Sequence, residues 1–338
     1  MVYTFGLVKH ANIRYRESLN RLSQFELLAM LRSLSLDCDV QVESSGGADF
    51  LTFSSRELTD RELSFLSGHS AVVFLAEKSG SMLRPLEFAC PDYLPEDLPE
   101  VLKYKGKTSV SFTRMMLNIA LSQTPFSFSP FPLSVLDPMC GKGTSCFCAL
   151  QMGLNAIGVD IDQKAVHEAS DYFSRYLKYH CYKHSSRSFS ETVGKNALPV
   201  TEYVFAESKE CYQRGDTRFL RLSCGDTSLA PSLCRRHPVH LIIADFPYGI
   251  QHAPQFGRKP ESFSQLLTRA LPHWKKALIP GGALAVSFNT LTFPASHVMD
   301  IVRSAGFTPC EGGLFSHLRH EVEQAVVRDA VFAINDTQ

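Results

Sequence analysis

The sequence lacks the long apolar segments of membrane proteins. No hydrophobic run approaches the roughly 20 residues that a helix needs to cross a bilayer. Residues 1–6, MVYTFG, do not combine a basic flank with an apolar core, as a secretion signal would. We therefore expect a cytoplasmic protein with no membrane partner.

Metal-binding and disulfide patterns are also missing. None of the ten cysteines stands at CxxC spacing, and the twelve histidines form no metal-ligand spacing. Cys146 and Cys148 would point to different sides of a helix, and other cysteines stand among apolar neighbours, where cysteine behaves as a small core residue. The sequence predicts reduced thiols and no metal site.

An excess of positive charge is the third absence, since 34 Lys and Arg balance 34 Asp and Glu. Most nucleic-acid binders carry a basic surface that neutralises phosphates. Local clusters do occur, at Lys9, Arg14, Arg16 and Arg21 and within residues 178–221, although each could equally be a solvated face. The balance argues against tight, unaided RNA or DNA binding and makes a protein partner subunit plausible.

The chain divides into two predicted domains. Residues 1–85 have the strand and helix order of a small α/β domain, and the prolines of residues 86–104 predict an irregular linker. Residues 105–338 form the second domain, in which strands and helices alternate from residue 133 onward, as in a mostly parallel sheet. Residues 179–217 depart from this alternation, and we interpret them as a long insertion with one strand at 200–205.

Four predicted strands of the second domain end in or just before an acidic residue. These residues are Asp137, Asp160, Asp226 and Asp245. Because ligands of doubly wound sheets bind at the carboxyl ends of the strands, the four carboxylates should line one crevice.

A glycine-rich turn follows the first of these strands, at residues 136–144, LDPMCGKGT. Gly141 and Gly143 would let the backbone approach a ligand, and the following helix supplies free N–H groups. Asp160 stands 17 residues beyond Gly143, where an acid could bind ribose hydroxyls. The turn is neither the G-x-G-x-x-G of dinucleotide sites nor a P-loop.

The second motif is DFPYG at residues 245–249, directly after the apolar run 241–244, LIIA. An acid, a stiff proline and an exposed aromatic at a strand end can hold a flat nitrogenous ring. The acid can also accept a hydrogen bond from an exocyclic amine of that ring.

These motifs resemble those of a known family. Residues 137–144 resemble the S-adenosylmethionine loop of class I RNA methyltransferases that carry a THUMP domain, and residues 245–249 resemble their D-P-P-Y-G motif. Residues 106–109 with Asn118 resemble the segment ahead of that loop. Residues 10–16, HANIRYR, resemble the start of the tRNA guanosine-N2 methyltransferases that act at position 10. Phe246 replaces the first proline of the motif, and too few residues are available for a full THUMP module.

The resemblance implies a fold and a cofactor. The fold is α/β, with a Rossmann-like class I methyltransferase domain (a seven-stranded, mostly parallel sheet with an antiparallel C-terminal strand) and a small, ferredoxin-like N-terminal α/β domain. The cofactor is S-adenosylmethionine. The implied cofactor-binding residues are Thr108, Asp137, Pro138, Cys140, Gly141, Gly143, Thr144, Asp160, Ile161, Asp226 and Asp245.

The resemblance also implies a reaction, direct methyl transfer to an exocyclic amine, with guanine N2 of tRNA as the substrate. The implied catalytic residues are Asp245, Phe246, Pro247 and Tyr248. The Asp245 carboxylate and the Phe246 carbonyl would accept the two amine hydrogens while Tyr248 stacks on the base. Two alternatives stay open: adenine N6 in DNA or RNA, and a non-catalytic binding module.

Overall fold

The structure is a computed structural model, and it describes residues 1–9, 13–87, 92–102, 104, 107–129, 131–193, 196–246, 255–256, 259–316, 318–323 and 326–336. The described chain forms two large sheets and one short two-stranded ribbon. Its N-terminal elements are β1 (Val2–Leu7), α1 (Ile13–Ser33), β2 (Val40–Ser45), β3 (Ala48–Ser54), α2 (Asp60–Ser67), β4 (Val72–Ser79) and β5 (Met82–Pro85).

These strands form a five-stranded sheet in the order β2-β3-β1-β4-β5, and each pairing is antiparallel. Alternate residues of β1, including Tyr3 and Phe5, face a core that also contains Leu27 and Met30 of α1. The capping box at Thr59, whose hydroxyl and amide exchange hydrogen bonds with Glu62, defines the start of α2. This arrangement agrees with the predicted small α/β unit, while the domain boundaries at residues 85 and 104 stay predictions.

The remaining elements belong to the second unit. They are α3 (Asp97–Val101), α4 (Val110–Ser122), β6 (Ser134–Asp137), α5 (Thr144–Gln151), β7 (Asn155–Asp160), α6 (Gln163–Tyr179), β8 (Lys183–Val193), β9 (Asn196–Ala206), α7 (Lys209–Arg214), β10 (Arg218–Cys224), α8 (Ala230–Leu233), β11 (Val239–Asp245), β12 (Gln255–Phe256), β13 (Lys259–Pro260), α9 (Phe263–Ala277), β14 (Leu278–Asn289), α10 (Ala295–Ser304), β15 (Thr308–Pro309), β16 (His320–Glu323) and β17 (Val326–Ile334).

The second sheet has the order β15-β17-β14-β11-β6-β7-β10-β9-β8, with β16 paired to β17. Five adjacent strands, from β14 to β10, run parallel, and β17 runs antiparallel to β14. The chain leaves β6 towards β7 on one side and later returns to β11 on the other, so the strand order reverses between β6 and β11. This is the Rossmann-like class I methyltransferase arrangement, and the predicted fold class is confirmed. The predicted strand number is wrong, because the described sheet has ten strands and not seven: β8 and β9 extend it beyond β10, and the short strands β15 and β16 both pair with β17.

Two segments differ from the sequence-based expectation. Residues 179–217 are not mainly a loop, because β8 and β9 form a long hairpin whose second strand pairs with β10 and includes the predicted strand 200–205. The predicted linker contains the one-turn helix α3, although prolines are dense there. Pro99 fits because the first turn of a helix requires no internal N–H donors.

The two units share a buried core and a polar contact. Leu22 and Phe25 of α1 belong to the same apolar cluster as α4 and α5 of the second unit. Asn118 of α4 donates to Glu26 at 2.6 Å and to the Gly68 carbonyl at 2.9 Å. Asn118, part of the segment that resembles the family's pre-loop sequence, therefore joins the units instead of lining the crevice.

Candidate active site

The four acidic residues of the predicted crevice lie at one edge of the second sheet. Asp137, Asp160 and Asp245 are the last residues of β6, β7 and β11, and Asp226 lies two residues beyond the end of β10. Since these four strands are mutually parallel, their carboxyl ends meet at one edge. The structure therefore brings the four acidic residues together, at the place where the strand order reverses.

The glycine turn occupies the centre of this edge. Gly141 and Gly143 have φ angles of +50° and +87°, in the left-handed region that favours glycine. A Cβ atom at Gly143, the N-cap of α5, would lie 3.2 Å from the Phe147 ring. A Cβ atom at Gly141 would meet no atom of the described residues within 4 Å. The turn is thus packed on its inner side at Gly143 and open at Gly141.

Residues around the two glycines fix the path of the turn. The Cys140 amide donates to the Val159 carbonyl at 2.9 Å, and the Gly143 amide donates to the Cys140 carbonyl at 2.7 Å. Cys140 is buried, and its pKa lies well above the usual thiol value because of its contact with Cys146 and its burial. Its role is therefore to shape the turn as a neutral thiol. Pro138 precedes it in the turn that follows β6.

Asp160 connects the turn to β7. Its carboxylate accepts from the Gly141 amide at 2.6 Å and from the Asp162 amide at 2.8 Å. Burial nevertheless raises its pKa, against those two hydrogen bonds. The next residue, Ile161, leaves 61% of its surface exposed. An acceptor and an open apolar side chain thus stand side by side at the end of β7.

Asp137 is the most deeply buried acid of the group, with 3% of its surface exposed. Burial raises its pKa to about 7, although hydrogen bonds from the Met139 amide and the Ser145 side chain oppose the shift. The charge of this carboxyl group therefore changes near neutral pH. A positively charged ligand beside it would favour the ionised form.

The structure adds Tyr104 to the predicted residues. Its hydroxyl lies 2.7 Å from the Thr144 hydroxyl at the start of α5. Lys142 of the glycine turn lies over the Tyr104 ring at 5.1 Å and pairs with Glu168 of α6. Burial raises the pKa of Tyr104 to about 12, with further contributions from Asp137 and Asp245. Tyr104 precedes α4 in a lysine-rich stretch without periodicity, so no sequence signal distinguished it.

Asp245 is held by two hydroxyl groups. Thr108, one of the predicted residues, donates its hydroxyl to one carboxylate oxygen, and Ser287 donates to the other. Ser287 is fully buried and is paired with Asp245 in the parallel register of β11 and β14. The two donors fix the orientation of the carboxylate at the strand end.

Phe246 stands where the family motif has its first proline. It is buried, its ring lies 4.4 Å from that of Phe263 and 6.4 Å from that of Trp274, and its amide donates to the Ser287 carbonyl at 3.1 Å. Packing therefore constrains this position in the absence of a proline ring. Pro247 and Tyr248, the other two predicted catalytic residues, lie outside the described residues.

Asp226 has a strong partner that the sequence did not reveal. Arg269 of α9 binds it with two nitrogen–oxygen contacts of 2.7 and 3.1 Å, and the Ser228 amide donates to it at 2.9 Å. Burial opposes ionisation of Asp226, but the hydrogen bonds from Arg269 and Ser228 outweigh it and hold the pKa below its usual value. Arg269 also binds Glu261 at 2.9 Å. The Asp226 carboxylate is therefore already paired with a guanidinium.

The described residues include no candidate metal site, since their His, Cys, Asp and Glu side chains form no group of three or more that could hold a metal ion. None of their helices has the length and apolar character needed to span a bilayer. The nine cysteines among them are free thiols.

Comparisons with known proteins identify no family. No family model matches the chain, and no curated protein matches it. Solved structures that are similar include TrmN from Thermus thermophilus (17% identity, 88% of this chain and 59% of that chain, TM-score 0.38). The rRNA methyltransferase aviRa from Streptomyces viridochromogenes is 15% identical over 69% of this chain and 88% of that chain, with a TM-score of 0.41. A TehB-like SAM-dependent methyltransferase from Corynebacterium glutamicum is 15% identical over 62% and 83%, with a TM-score of 0.36.

At these identities and TM-scores the matches settle neither family nor substrate. The fold class rests on the strand order of the chain itself, five parallel strands with a reversal beside β6 and an antiparallel strand after β14. The structure defines an α/β protein with four acidic residues at the carboxyl edge of that sheet, where the acid-lined crevice is predicted.

Proposed function

We propose that this chain is an S-adenosylmethionine-dependent methyltransferase that acts on an exocyclic amine of a nucleobase, with guanine N2 of tRNA as its substrate. The observation that carries the proposal is the placement of Asp245. Asp245 ends β11, and the glycine turn follows β6. The two strands are neighbours, and the strand order reverses between them. A donor held by the turn and an amine held by Asp245 would therefore meet in one crevice.

The residues of the crevice suit an S-adenosylmethionine molecule. The open side of Gly141 and the N-terminus of α5 offer backbone surface and N–H groups. Asp160 retains acceptor capacity for ribose hydroxyls, and Ile161 offers an apolar surface to an adenine ring. Asp137 and Tyr104 lie on the side of the turn nearer Asp245, where a methionine group would extend. Bound there, the cofactor would supply an electrophilic methyl group.

The chain's own part in the reaction is positioning and charge stabilisation. The Asp245 carboxylate would accept one hydrogen of the target amine, and the Phe246 carbonyl would accept the other. Both acceptors favour a pyramidal nitrogen, and the carboxylate stabilises the positive charge that develops on it. Thr108 and Ser287 would keep the carboxylate in the orientation that this requires.

The balanced charge of the chain affects the RNA part of the proposal. With equal numbers of acidic and basic residues, affinity for a tRNA has to come from a local basic surface or from a second protein that contributes charge. We therefore propose tRNA as the substrate partner and a protein subunit as a second partner.

The deciding experiment incubates the purified chain with isotopically labelled S-adenosylmethionine and unmodified tRNA, then identifies labelled nucleosides by mass spectrometry. Labelled N2-methylguanosine supports the proposal. Labelled N6-methyladenosine, tested in parallel with RNA and DNA, would move the assignment to the adenine-N6 alternative. Cofactor binding by calorimetry without any labelled nucleoside would favour the non-catalytic module.

The matched variants are Asp245→Ala and Asp300→Ala. Asp300 is an exposed acid of α10, so its loss should leave activity unchanged. Asp245→Ala should retain cofactor binding and lose at least about 100-fold in turnover, the scale on which removing one stabilising contact acts. Equal turnover in the two variants would remove Asp245 from the reaction.

A further inference from the structure

A groove of about 660 Å³ lies between α3 and α6, outside the acid-lined crevice. This volume is within the range of small-molecule sites. Its floor is a stripe of α6 in which residues recur every four positions, Glu168, Tyr172 and Tyr176, and His180 continues the stripe just past the helix end. Residues four apart lie on one face of a helix, so the stripe follows from the sequence. Asp97 of α3 faces it.

Four of the ten residues that line the groove carry aromatic rings. The ring centroids of Tyr172 and Tyr176 are 6.1 Å apart, and those of Tyr176 and His180 are 4.3 Å apart. Tyr179 continues the series, with its ring 5.0 Å from His180 and 84% of its surface exposed. The four rings therefore form one contiguous aromatic cluster along the groove, in which Tyr176 is buried and the outermost ring, Tyr179, is open to a ligand.

The two inner tyrosines are anchored through their hydroxyl groups. Tyr172 donates to the Leu98 carbonyl at 2.7 Å, and Tyr176 donates to the Asp97 carboxylate at 2.7 Å. Burial raises the pKa of Tyr172 to about 12 and raises that of Tyr176 further. Both rings thus stay neutral phenols at physiological pH, with their hydroxyls engaged by α3, and contribute ring surface to the groove.

The charges of the lining favour a cation. Three carboxylates, Asp97, Glu168 and Asp171, line the groove with one guanidinium, that of Arg175. Lys142, which lies outside the lining, pairs with Glu168, so the acidic groups still outnumber the basic ones by one. Arg175 donates from Nε to the backbone carbonyl of Asp171 at 3.3 Å. A phosphate group would meet repulsion from the carboxylates, which argues against a nucleic-acid backbone here. An alkylammonium group would gain both from the carboxylates and from the tyrosine faces.

We propose that this groove binds a linear polyamine. The stripe from Glu168 to His180 spans roughly 18 Å at 1.5 Å per residue. Glu168 and Asp171 stand near its start, whereas Asp97 lies beside Tyr176 and His180 near its end, so the carboxylates are spread along the groove. Several ammonium groups joined by short alkyl chains match that pattern, because the methylenes pack on the rings while each charge reaches a carboxylate. A single small cation would use only part of the surface. The proposal does not depend on the function of the acid-lined crevice.

The test is calorimetric titration of the full chain with spermidine at physiological ionic strength. Tyr179→Leu removes the exposed ring but keeps an apolar side chain, and Asp171→Asn removes one charge at constant shape. Each should weaken spermidine binding about fivefold, the scale of one cation–π or partly screened ionic contact. The matched controls are Phe131→Leu, an exposed aromatic elsewhere, and Glu210→Gln, an exposed acid of α7. Circular dichroism melting confirms that all four variants fold.

Saturable binding of one spermidine per chain, weakened in both groove variants and unchanged in both controls, supports the proposal. Two results would overturn the proposal by showing only non-specific attraction between charges. One is an equal loss of spermidine affinity in all four variants, and the other is a binding heat that added salt abolishes equally in every variant. A titration with a lysine-rich peptide gives a further outcome. If the peptide binds and its affinity falls in both groove variants, while spermidine does not bind, the proposal is overturned and the groove is a protein-docking site.

Discussion

Ser287 of β14 lies directly opposite Asp245 of β11 and donates its hydroxyl to the Asp245 carboxylate. The Ser287 carbonyl also accepts from the amide of Phe246, the next residue of the motif. One buried residue therefore holds both the acid and the backbone that follows it. The motif is positioned from the neighbouring strand as well as from its own.

We predict that Ser287→Ala lowers turnover by about 10- to 100-fold, because a hydrogen bond to a charged group contributes roughly 1.5–3 kcal/mol. The Asp245 carboxylate would keep its contact with Thr108 but lose the donor on its other oxygen. Steady-state kinetics should show the change in kcat, with the KM for S-adenosylmethionine nearly constant. Ser190→Ala, at an exposed serine of β8, is the control. A change confined to KM would contradict a positioning role.

The two glycines of the turn should respond differently to alanine. Gly143→Ala adds a Cβ atom 3.2 Å from the Phe147 ring in a left-handed conformation, and we expect a loss of about 1–2 kcal/mol in the free energy of unfolding. Gly141→Ala carries only the conformational cost, about 1 kcal/mol, but places a methyl group on the open side of the turn. Gly141→Ala should therefore reduce the free energy of S-adenosylmethionine binding by more than it reduces the free energy of unfolding.

Gly215→Ala is the control for both, since Gly215 has φ +79° at the end of α7 and a Cβ there would meet no described atom within 4 Å. Denaturant unfolding and calorimetric titration separate the two effects. Cofactor affinity that falls equally in the Gly141 and Gly215 variants would show that the open side of the turn is not part of the site.

The raised pKa of Asp137 predicts a specific dependence of stability on pH. Its folded-state value of about 7 exceeds the ordinary 3.8, so between those values the folded chain holds a proton that the unfolded chain has lost. The free energy of unfolding therefore gains a contribution that is complete below about pH 4 and lost as pH rises through 7, with a slope of up to about 1.4 kcal/mol per pH unit.

Asp137→Asn should remove that contribution, because the amide has the same shape and does not titrate. Denaturant unfolding of both proteins from pH 4 to pH 8 measures the difference, and the stability of the variant relative to the parent should rise with pH over that range. A constant difference across the range would mean that Asp137 is ionised throughout. Asp329, whose pKa burial raises to about 6, contributes a similar slope to both proteins and so cancels in the comparison.

The acids of the crevice could be predicted from the sequence because each of them follows a short apolar segment that predicts a strand. Such segments, like the glycine turn, are local patterns. Asp137, Asp160 and Asp245 could be placed at strand ends from alternation alone, and parallel strands bring such ends to one edge. Ser287 could not be predicted in this way. It stands in the apolar strand β14, and only the register between β14 and β11 places it beside Asp245. That register is set by packing across the whole sheet.

Other features were hidden for the same reason. Tyr104 stands before a helix, in a stretch whose contacts with α5 depend on how the chain returns to the sheet. The four-residue spacing of aromatics on α6 is visible in the sequence, but the facing helix α3 fell in a proline-rich segment predicted to be irregular. Local sequence patterns predict each helix or strand separately. Which element packs against which, as α3 does against α6, depends on the complete fold.

Arg269 gives the last prediction, because it joins two acids from different parts of the chain. It binds Asp226, which follows β10, and Glu261, which precedes α9. The sequence alone does not distinguish Arg269 from an ordinary basic residue on the solvent-facing side of an amphipathic helix. The side chains of Asp226 and Glu261 are 24% and 8% exposed. Arg269→Met would leave both partly buried acids without their guanidinium, and we expect a loss of about 1–3 kcal/mol in the free energy of unfolding at pH 7.

That loss should shrink in acid. Since the pKa of Asp226 is held below its ordinary value, its contribution is present above the usual carboxylate range and disappears as pH falls through the lowered value. The triple variant Arg269→Met, Asp226→Asn, Glu261→Gln removes all three charges and should recover much of the stability that the single variant loses. If Asp226 also binds the adenine amine, Asp226→Asn alone should weaken S-adenosylmethionine binding in calorimetry. Unchanged affinity would assign Asp226 to the Arg269 network alone and remove it from the cofactor site.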